Sequence, residues 1–222
     1  MKIDTELLST FPLFSGIKKS DLEPMLGCIN AHTHAYKKND YISLTGDTLR
    51  YVGVVCSGDI HMVTEDIWGN KSLFAVFSSG ELFGESSVCT DSAASSVSFR
   101  AATNCSILFM PFNRVVHSCT VACEFHHRLI ENMVQIIAQK NVQLIEKLEI
   151  ISKKTMREKI LTYLSQQARI HGKKYFTTPL GRMELADYLC VDRSALTREL
   201  SSMRDAGLID FDRNTFRLLK SE

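Results

Sequence analysis

Long apolar runs are missing: nowhere do the 222 residues approach the ~20 consecutive apolar positions that a membrane-spanning helix needs. The first six residues, Met1-Lys2-Ile3-Asp4-Thr5-Glu6, lack the apolar core and small-residue cleavage site of a signal peptide, so a cytoplasmic location is expected. Regular cysteine spacing is missing too. Seven cysteines, an odd number without a pattern, fit reduced thiols better than a disulfide framework. The chain holds no Gly-x-Ser-x-Gly elbow, Walker loop or paired-carboxylate constellation, so an enzyme is not expected. An excess of one charge sign is almost absent, at +1 overall. That balance hides an asymmetry. Residues 1–152 hold 12 Lys/Arg against 16 Asp/Glu, a net of −4, whereas residues 153–222 hold 14 against 9, a net of +5. A basic end on an acidic body suits contact with a polyanion. The 45% hydrophobic and 23% charged contents are those of a soluble globular protein.

What is present falls into three segments. Between residues 33 and 115, short apolar or alternating runs are cut by glycines. Tyr51-Val52-Gly53-Val54-Val55-Cys56 leads through Ser57-Gly58-Asp59 into Ile60-His61-Met62-Val63. After a turn at Trp68-Gly69-Asn70 come Ser72 to Phe77, Val97 to Ala101 and Ser106 to Met110. Strands at this spacing with Gly/Asn/Asp punctuation predict an all-β barrel or sandwich. A short helix is expected before them, opened by a capping box at Ser20-Asp21-Leu22-Glu23.

The period then changes. Residues 124–152 contain neither Pro nor Gly and fit a heptad register. Ile130, Ile137, Leu144 and Ile151 fall at d; Val134, Asn141 and Leu148 fall at a. This seam predicts a coiled-coil helix pairing two copies of the chain, with Asn141 fixing parallel register. A break follows at Ser152-Lys153-Lys154-Thr155. Thr155-Met156-Arg157-Glu158 is a second capping box, opening a helix that ends at Gly172 as its C-cap.

The last segment carries the sharpest pattern. Gly181 to Leu189 reads as a short helix and Cys190-Val191-Asp192 as a tight turn. Arg193 to Arg204 reads as a second helix, capped by Asp192. Leu196, Leu200 and Met203 form its inward stripe. Two helices with small Ala186 at their crossing are the helix-turn-helix pattern. A hairpin follows, through Asp212-Arg213-Asn214, in the position of a wing. Arg193, Ser194, Thr197 and Arg198 are candidate base contacts, because an arginine can donate two hydrogen bonds to guanine O6 and N7. Ser201 and Arg204, further along, are candidate phosphate contacts.

With these residues in view, the chain resembles the CRP/FNR family of transcription regulators across nearly its whole length. The resemblance is carried by Pro12-Leu13-Phe14-Ser15-Gly16, Gly46-Asp47, Ser57-Gly58, Gly80-Glu81-Leu82-Phe83-Gly84-Glu85, Glu184 to Leu189 and Arg193 to Leu200. It implies an α+β architecture of an N-terminal double-stranded β-helix (jelly-roll) sensor domain over residues 1–123, a dimerisation helix over 124–152 and a winged helix-turn-helix over 153–222. It also implies a homodimer, a palindromic double-stranded operator and, for an activator, contact with RNA polymerase.

The effector is not implied so directly. Cyclic-nucleotide-binding relatives follow a Gly-Glu pair, about ten residues later, with Arg-Ser or Arg-Thr; the Glu holds ribose and the Arg neutralises phosphate. Here Gly84-Glu85 is present, but Ser95-Ser96 stands in the second position. A buried phosphate would lose its charge-assisted partner, and Leu144 and Ile145, which align toward the base, are apolar. Cyclic AMP is therefore disfavoured. Iron–sulfur ligation needs four placed thiolates, and only Cys28 lies near the N-terminus; Cys119 and Cys123, four apart, match no standard run. No residue is singled out for haem. Cys56, Cys89, Cys105 and Cys190 read as small core hydrophobes, and His126-His127 as a polar helix start with side chains pointing apart. A rival class is a cupin-type metal enzyme using His32-Thr33-His34. Its pattern needs a Glu three or four residues on, where Lys37 and Lys38 stand instead, so no metal site is expected.

Overall fold

The computed structural model describes residues 4–65, 71–90, 94–117, 124–178 and 180–219, without the side chains of Lys71 and Glu124. In chain order its elements are α1 (Thr5–Leu8), a 3-10 turn (Pro12–Phe14), α2 (Lys19–Cys28), β1 (His32–Tyr36), β2 (Tyr41–Ser43), β3 (Tyr51–Ser57), β4 (Ile60–Glu65), β5 (Lys71–Phe77), β6 (Leu82–Phe83), α3 (Glu85–Val88), β7 (Ser98–Ala101), β8 (Cys105–Pro111), α4 (Phe112–Val116), α5 (Glu124–Ile151), α6 (Met156–His171), β9 (Tyr175–Thr177), α7 (Arg182–Leu189), α8 (Arg193–Asp205), β10 (Ile209–Asp212) and β11 (Thr215–Leu218). Contacts divide the chain into two compact units, Met1–Gln139 and Lys140–Glu222.

The first unit is built on two antiparallel sheets, ordered β1-β8-β3-β6 and β2-β7-β4-β5. Val55, Ile60, Phe77, Phe83, Phe99 and Ile107 form an apolar core shared by the two sheets. The first sheet's opposite face supplies Val52, Val54, Leu108 and Met110 to a second core with α1, α2 and the start of α5. Burial on both faces explains why β3 reads as an unbroken apolar run, with residues 52 to 55 all buried. Gly53 is required for packing: a Cβ there would lie 2.3 Å from the Phe83 ring.

The Pro-Leu-Phe-Ser-Gly motif has a structural task in this unit. Leu13 and Phe14 are buried, and the Asn132 amide of α5 donates to the carbonyls of Leu13 at 2.9 Å and Ser15 at 2.8 Å. Those carbonyls have no helix or sheet ladder to join, and the buried amide satisfies them. The expected capping box at Ser20 is not formed. The helix α2 begins two residues earlier, with Lys18 rather than Ser20 at its N-cap and no side-chain cap, and the Ser20 hydroxyl instead donates to the Asp21 carboxylate. The turn at Trp68-Gly69-Asn70 lies outside the described residues.

The second unit packs the end of α5 and helices α6, α7 and α8 against the sheet β10-β11-β9. The Thr155 box forms in both directions: Thr155 N donates to Glu158 at 2.9 Å and Glu158 N to Thr155 Oγ1 at 3.2 Å. Gly172 ends α6 in the left-handed conformation at φ 62°, which glycine adopts without strain. The last turns of α5 are held within this unit. Ile150 is fully buried in its core, Gln166 donates to the Glu146 carbonyl and the Glu149 carboxylate, and Arg169 pairs with Glu146 at 2.7 Å. The break over residues 152–155 separates α5 from α6, while the two units divide earlier, after Gln139.

Candidate nucleic-acid interface

The helix α7 closes at Cys190, which takes the left-handed conformation at φ 54°, and the chain turns into α8 within three residues. Asp192 caps α8 by accepting from Ala195 N at 2.9 Å and from the Ser194 hydroxyl at 2.5 Å. Those two bonds, the serine's first, hold the Asp192 carboxyl below the usual carboxylate range. Leu196, Leu200 and Met203 are completely buried, with Leu185, Ala186 and Leu189 of α7 in the same core. A helix with one fully apolar stripe must turn its remaining side chains outward.

Arg193, Ser194, Thr197, Arg198 and Arg204 are exposed accordingly, and Ser201 is half-buried. The three hydroxyls are engaged locally: Ser194 on Asp192, Thr197 on the Arg193 carbonyl and Ser201 on the Thr197 carbonyl. Each hydroxyl oxygen keeps acceptor capacity. Arg204 lies with its guanidinium 5.0 Å from the centroid of the Phe211 ring. From behind, Arg157 of α6 fixes the helix by donating to Glu199 at 2.6 Å and to Ser202 at 3.1 Å.

The hairpin after α8 pairs Asp212 with Thr215 around a two-residue turn, and β9 adds a third strand that sequence patterning did not indicate. Arg182, at the start of α7, reaches this turn: its Nη2 donates to the Arg213 carbonyl at 2.6 Å. Neither Arg157 nor Arg182 carried a sequence signal beyond charge, because both act on partners more than thirty residues away.

In the first unit, Gly84 adopts φ 83° and leads into α3, which opens with Glu85. A Cβ at Gly84 would be both in the left-handed region and 3.4 Å from the Tyr51 carbonyl. Ser95 is buried and donates its hydroxyl to the Val97 carbonyl at 2.7 Å, whereas Ser96 is exposed. Leu144 and Ile145, in the other unit, are 59% and 62% exposed in the single chain.

Three readings of thiols and imidazoles are corrected. Cys89 and Cys190 are exposed rather than in the core, because one follows the short helix α3 and the other occupies the αL position that ends α7. Cys105 is buried as expected and Cys56 is half-buried; burial raises both thiols above their ordinary values, which disfavours thiolate. His126 is 98% buried and not part of a polar helix start; His127, pointing the other way, pairs with Glu131 at 3.1 Å. Cys119 and Cys123 lie outside the described residues. His32 and His34 share one face of β1, with His32 against Tyr51 and Phe109 and His34 against Tyr36. Among the described residues, no three His, Cys, Asp or Glu side chains converge as metal ligands, and no helix is long and apolar enough to cross a membrane.

Two family models match the chain: the cyclic nucleotide-binding domain over residues 33–118 and the Crp-like helix-turn-helix domain over residues 158–222. The transcriptional activator protein FnrA of Stutzerimonas stutzeri is 24% identical over 190 residues, covering 83% of this chain and 75% of that protein. Among solved structures, the c-di-GMP responsive global regulator CLP of Xanthomonas campestris superposes with a TM-score of 0.64 at 18% identity, over 92% of this chain and all of that one. A CooA mutant from Carboxydothermus hydrogenoformans gives 0.63 at 17% identity, over 99% of this chain and 94% of that one. At these identities the structural likeness establishes the fold. A β-roll of the cyclic-nucleotide-binding type joined to a winged helix-turn-helix defines a DNA-binding transcription regulator. The chain belongs to the CRP/FNR family of such regulators.

Proposed function

We propose that this protein is a homodimer that reads a palindromic operator and whose affinity is set by a signal received in the β-roll. In this reading residues 1–123 receive the signal, 124–152 pair the two copies and 153–222 read the DNA. The observation that carries it is the division of α8 into a fully buried apolar stripe and an exposed arginine-bearing face. Arg193, Ser194, Thr197 and Arg198 face base edges, and Ser201 and Arg204 the backbone. Support for the pairing comes from α5, where Val134, Leu144 and Leu148 are 58%, 59% and 59% exposed in a single chain and Asn141 lies exposed between them. A second copy would cover this apolar stripe.

The effector region is assigned to Gly84, Glu85, Ser95 and Ser96, together with Leu144 and Ile145. Its chemistry argues against cyclic AMP: no arginine stands at residue 95 or 96, and the Ser95 hydroxyl is bonded to the backbone of its own loop. For an activator, contact with RNA polymerase follows from the family resemblance. A signal can change operator affinity only by as much as it prefers the DNA-competent arrangement of the two reading heads.

The test is selection of preferred duplexes by wild type and by Arg198→Ala. Loss of a good bidentate contact removes ~1–3 kcal/mol of discrimination at one base pair in each half-site. An unchanged preference at every position overturns the assignment of Arg198.

A further inference from the structure

The least expected arginine in the second unit is Arg182. It opens α7, where an exposed side chain on a helix N-terminus would be unremarkable, yet it is half-buried and turned toward the hairpin. The guanidinium stacks on two rings, 4.8 Å from the Phe211 centroid and 5.1 Å from that of Phe216. Nη2 donates to the Arg213 carbonyl at 2.6 Å, while Nη1 is buried without a hydrogen-bond partner among the described residues. Phe211 also carries Arg204, from the end of α8, 5.0 Å from its centroid.

The carbonyl that Arg182 holds belongs to the tip of the wing. Arg213 adopts φ 49°, a left-handed conformation that a non-glycine residue keeps only when its surroundings fix it. Its own side chain is exposed at that tip. One guanidinium thus connects the start of α7 to the hairpin turn, and one ring connects that guanidinium to the end of α8. Lysine could not replace it. An ammonium is a compact, strongly hydrated charge without the flat face that lies over both rings, and its burial beside them would be disfavoured.

We propose that Arg182 is the positioning residue of the wing: by holding the Arg213 carbonyl it sets the tip relative to α8, so that the Arg213 side chain meets a backbone phosphate beside the groove that α8 enters. This rests on the reading of α8 as the base-reading helix. Arg182 itself acts through the wing and touches no DNA.

Two measurements on the full chain test it. Without DNA, hydrogen exchange of wing amides from Asn214 to Phe216 should quicken in Arg182→Lys while α8 amides keep their protection; unchanged wing exchange overturns the clamp. With an operator duplex, Arg182→Lys and Arg213→Ala should each weaken binding about tenfold, and the double variant should bind no worse than about tenfold, because coupled residues are non-additive. Arg213→Ala should also lower the salt slope by roughly two, about one for each wing of the dimer, with base preference unchanged. Additive losses, or an Arg182→Lys protein that binds like wild type, overturn the proposal, since a direct phosphate contact would survive as lysine and would add. Should Arg182→Lys fail to fold, Phe211→Leu, which removes the stacking ring, must show the same non-additivity with Arg213→Ala. Wild-type protein that ignores duplex DNA overturns the reading of α8 and the DNA consequence together, whereas a binding wild type with an unaffected Arg182→Lys variant overturns the clamp alone.

Discussion

Asp192 illustrates how one side chain prepares the reading helix. Its carboxylate accepts from Ser194 and from Ala195 N, and these bonds, the serine's first, depress its pKa in the folded protein. A depressed carboxylate contributes stability above its unfolded value, and that contribution is lost as pH falls through the lower folded value. The cap is therefore complete at neutral pH and dissolves only in acid. The destabilisation by Asp192→Ala should accordingly be measurable by urea unfolding at pH 7 and shrink toward nothing below the carboxylate range. A penalty that stayed constant into acid would refute the cap's dependence on charge. In the proposed reading of α8 the same residue would also bear on recognition, because Ser194 could offer bases only its acceptor capacity while its proton is given to Asp192.

Among the elements, α5 has two different tasks along its length. Its early turns bury Leu129, Asn132 and Met133 against the first unit, and Ile150 near its end is buried in the second. Between and beside them, the a and d positions Val134, Asn141, Leu144 and Leu148 are exposed, while Ile130, Ile137 and Ile151 are half-buried. The heptad was legible because 3.5-residue periodicity is local. The anchoring residues were not, since nothing local distinguishes Asn132, which serves carbonyls at Leu13 and Ser15, from the exposed Asn141. If the exposed stripe is the seam, Leu144→Lys with Leu148→Lys places four like charges in one interface. Sedimentation should then report a monomer at micromolar concentration where wild type is a dimer, and palindrome binding should fall with it. A double variant that remained dimeric would exclude this stripe.

At the scale of the whole molecule, the effector remains the variable part of the family plan. The position that neutralises phosphate in nucleotide-binding relatives is serine here, and the Ser95 hydroxyl is already engaged. A ligand that binds only the folded state raises stability logarithmically with its concentration relative to Kd, by about 2.7 kcal/mol at a hundred times Kd. Millimolar cyclic AMP should therefore leave the melting midpoint of this protein unmoved; a rise of several degrees would restore the nucleotide to candidacy. On DNA, a dimer of winged helices predicts half-sites one helical turn, ~34–36 Å, apart.

The sequence by itself determined whatever depends on neighbours along the chain. That includes the strand runs, the heptad, the Thr155 box, the Asp192 cap and the apolar stripe of α8, because helix and strand periods are set by backbone geometry within a few residues. Tertiary structure decided the rest. The cap expected at Ser20 gave way to a helix begun after Lys18, Cys89 and Cys190 came to the surface, and His126 went inside. Arg157 and Arg182 gained their roles only when partners thirty or more residues away were brought within hydrogen-bonding distance. Local pattern fixes which face of an element is apolar; which polar atom meets a buried carbonyl or ring depends on how the elements pack.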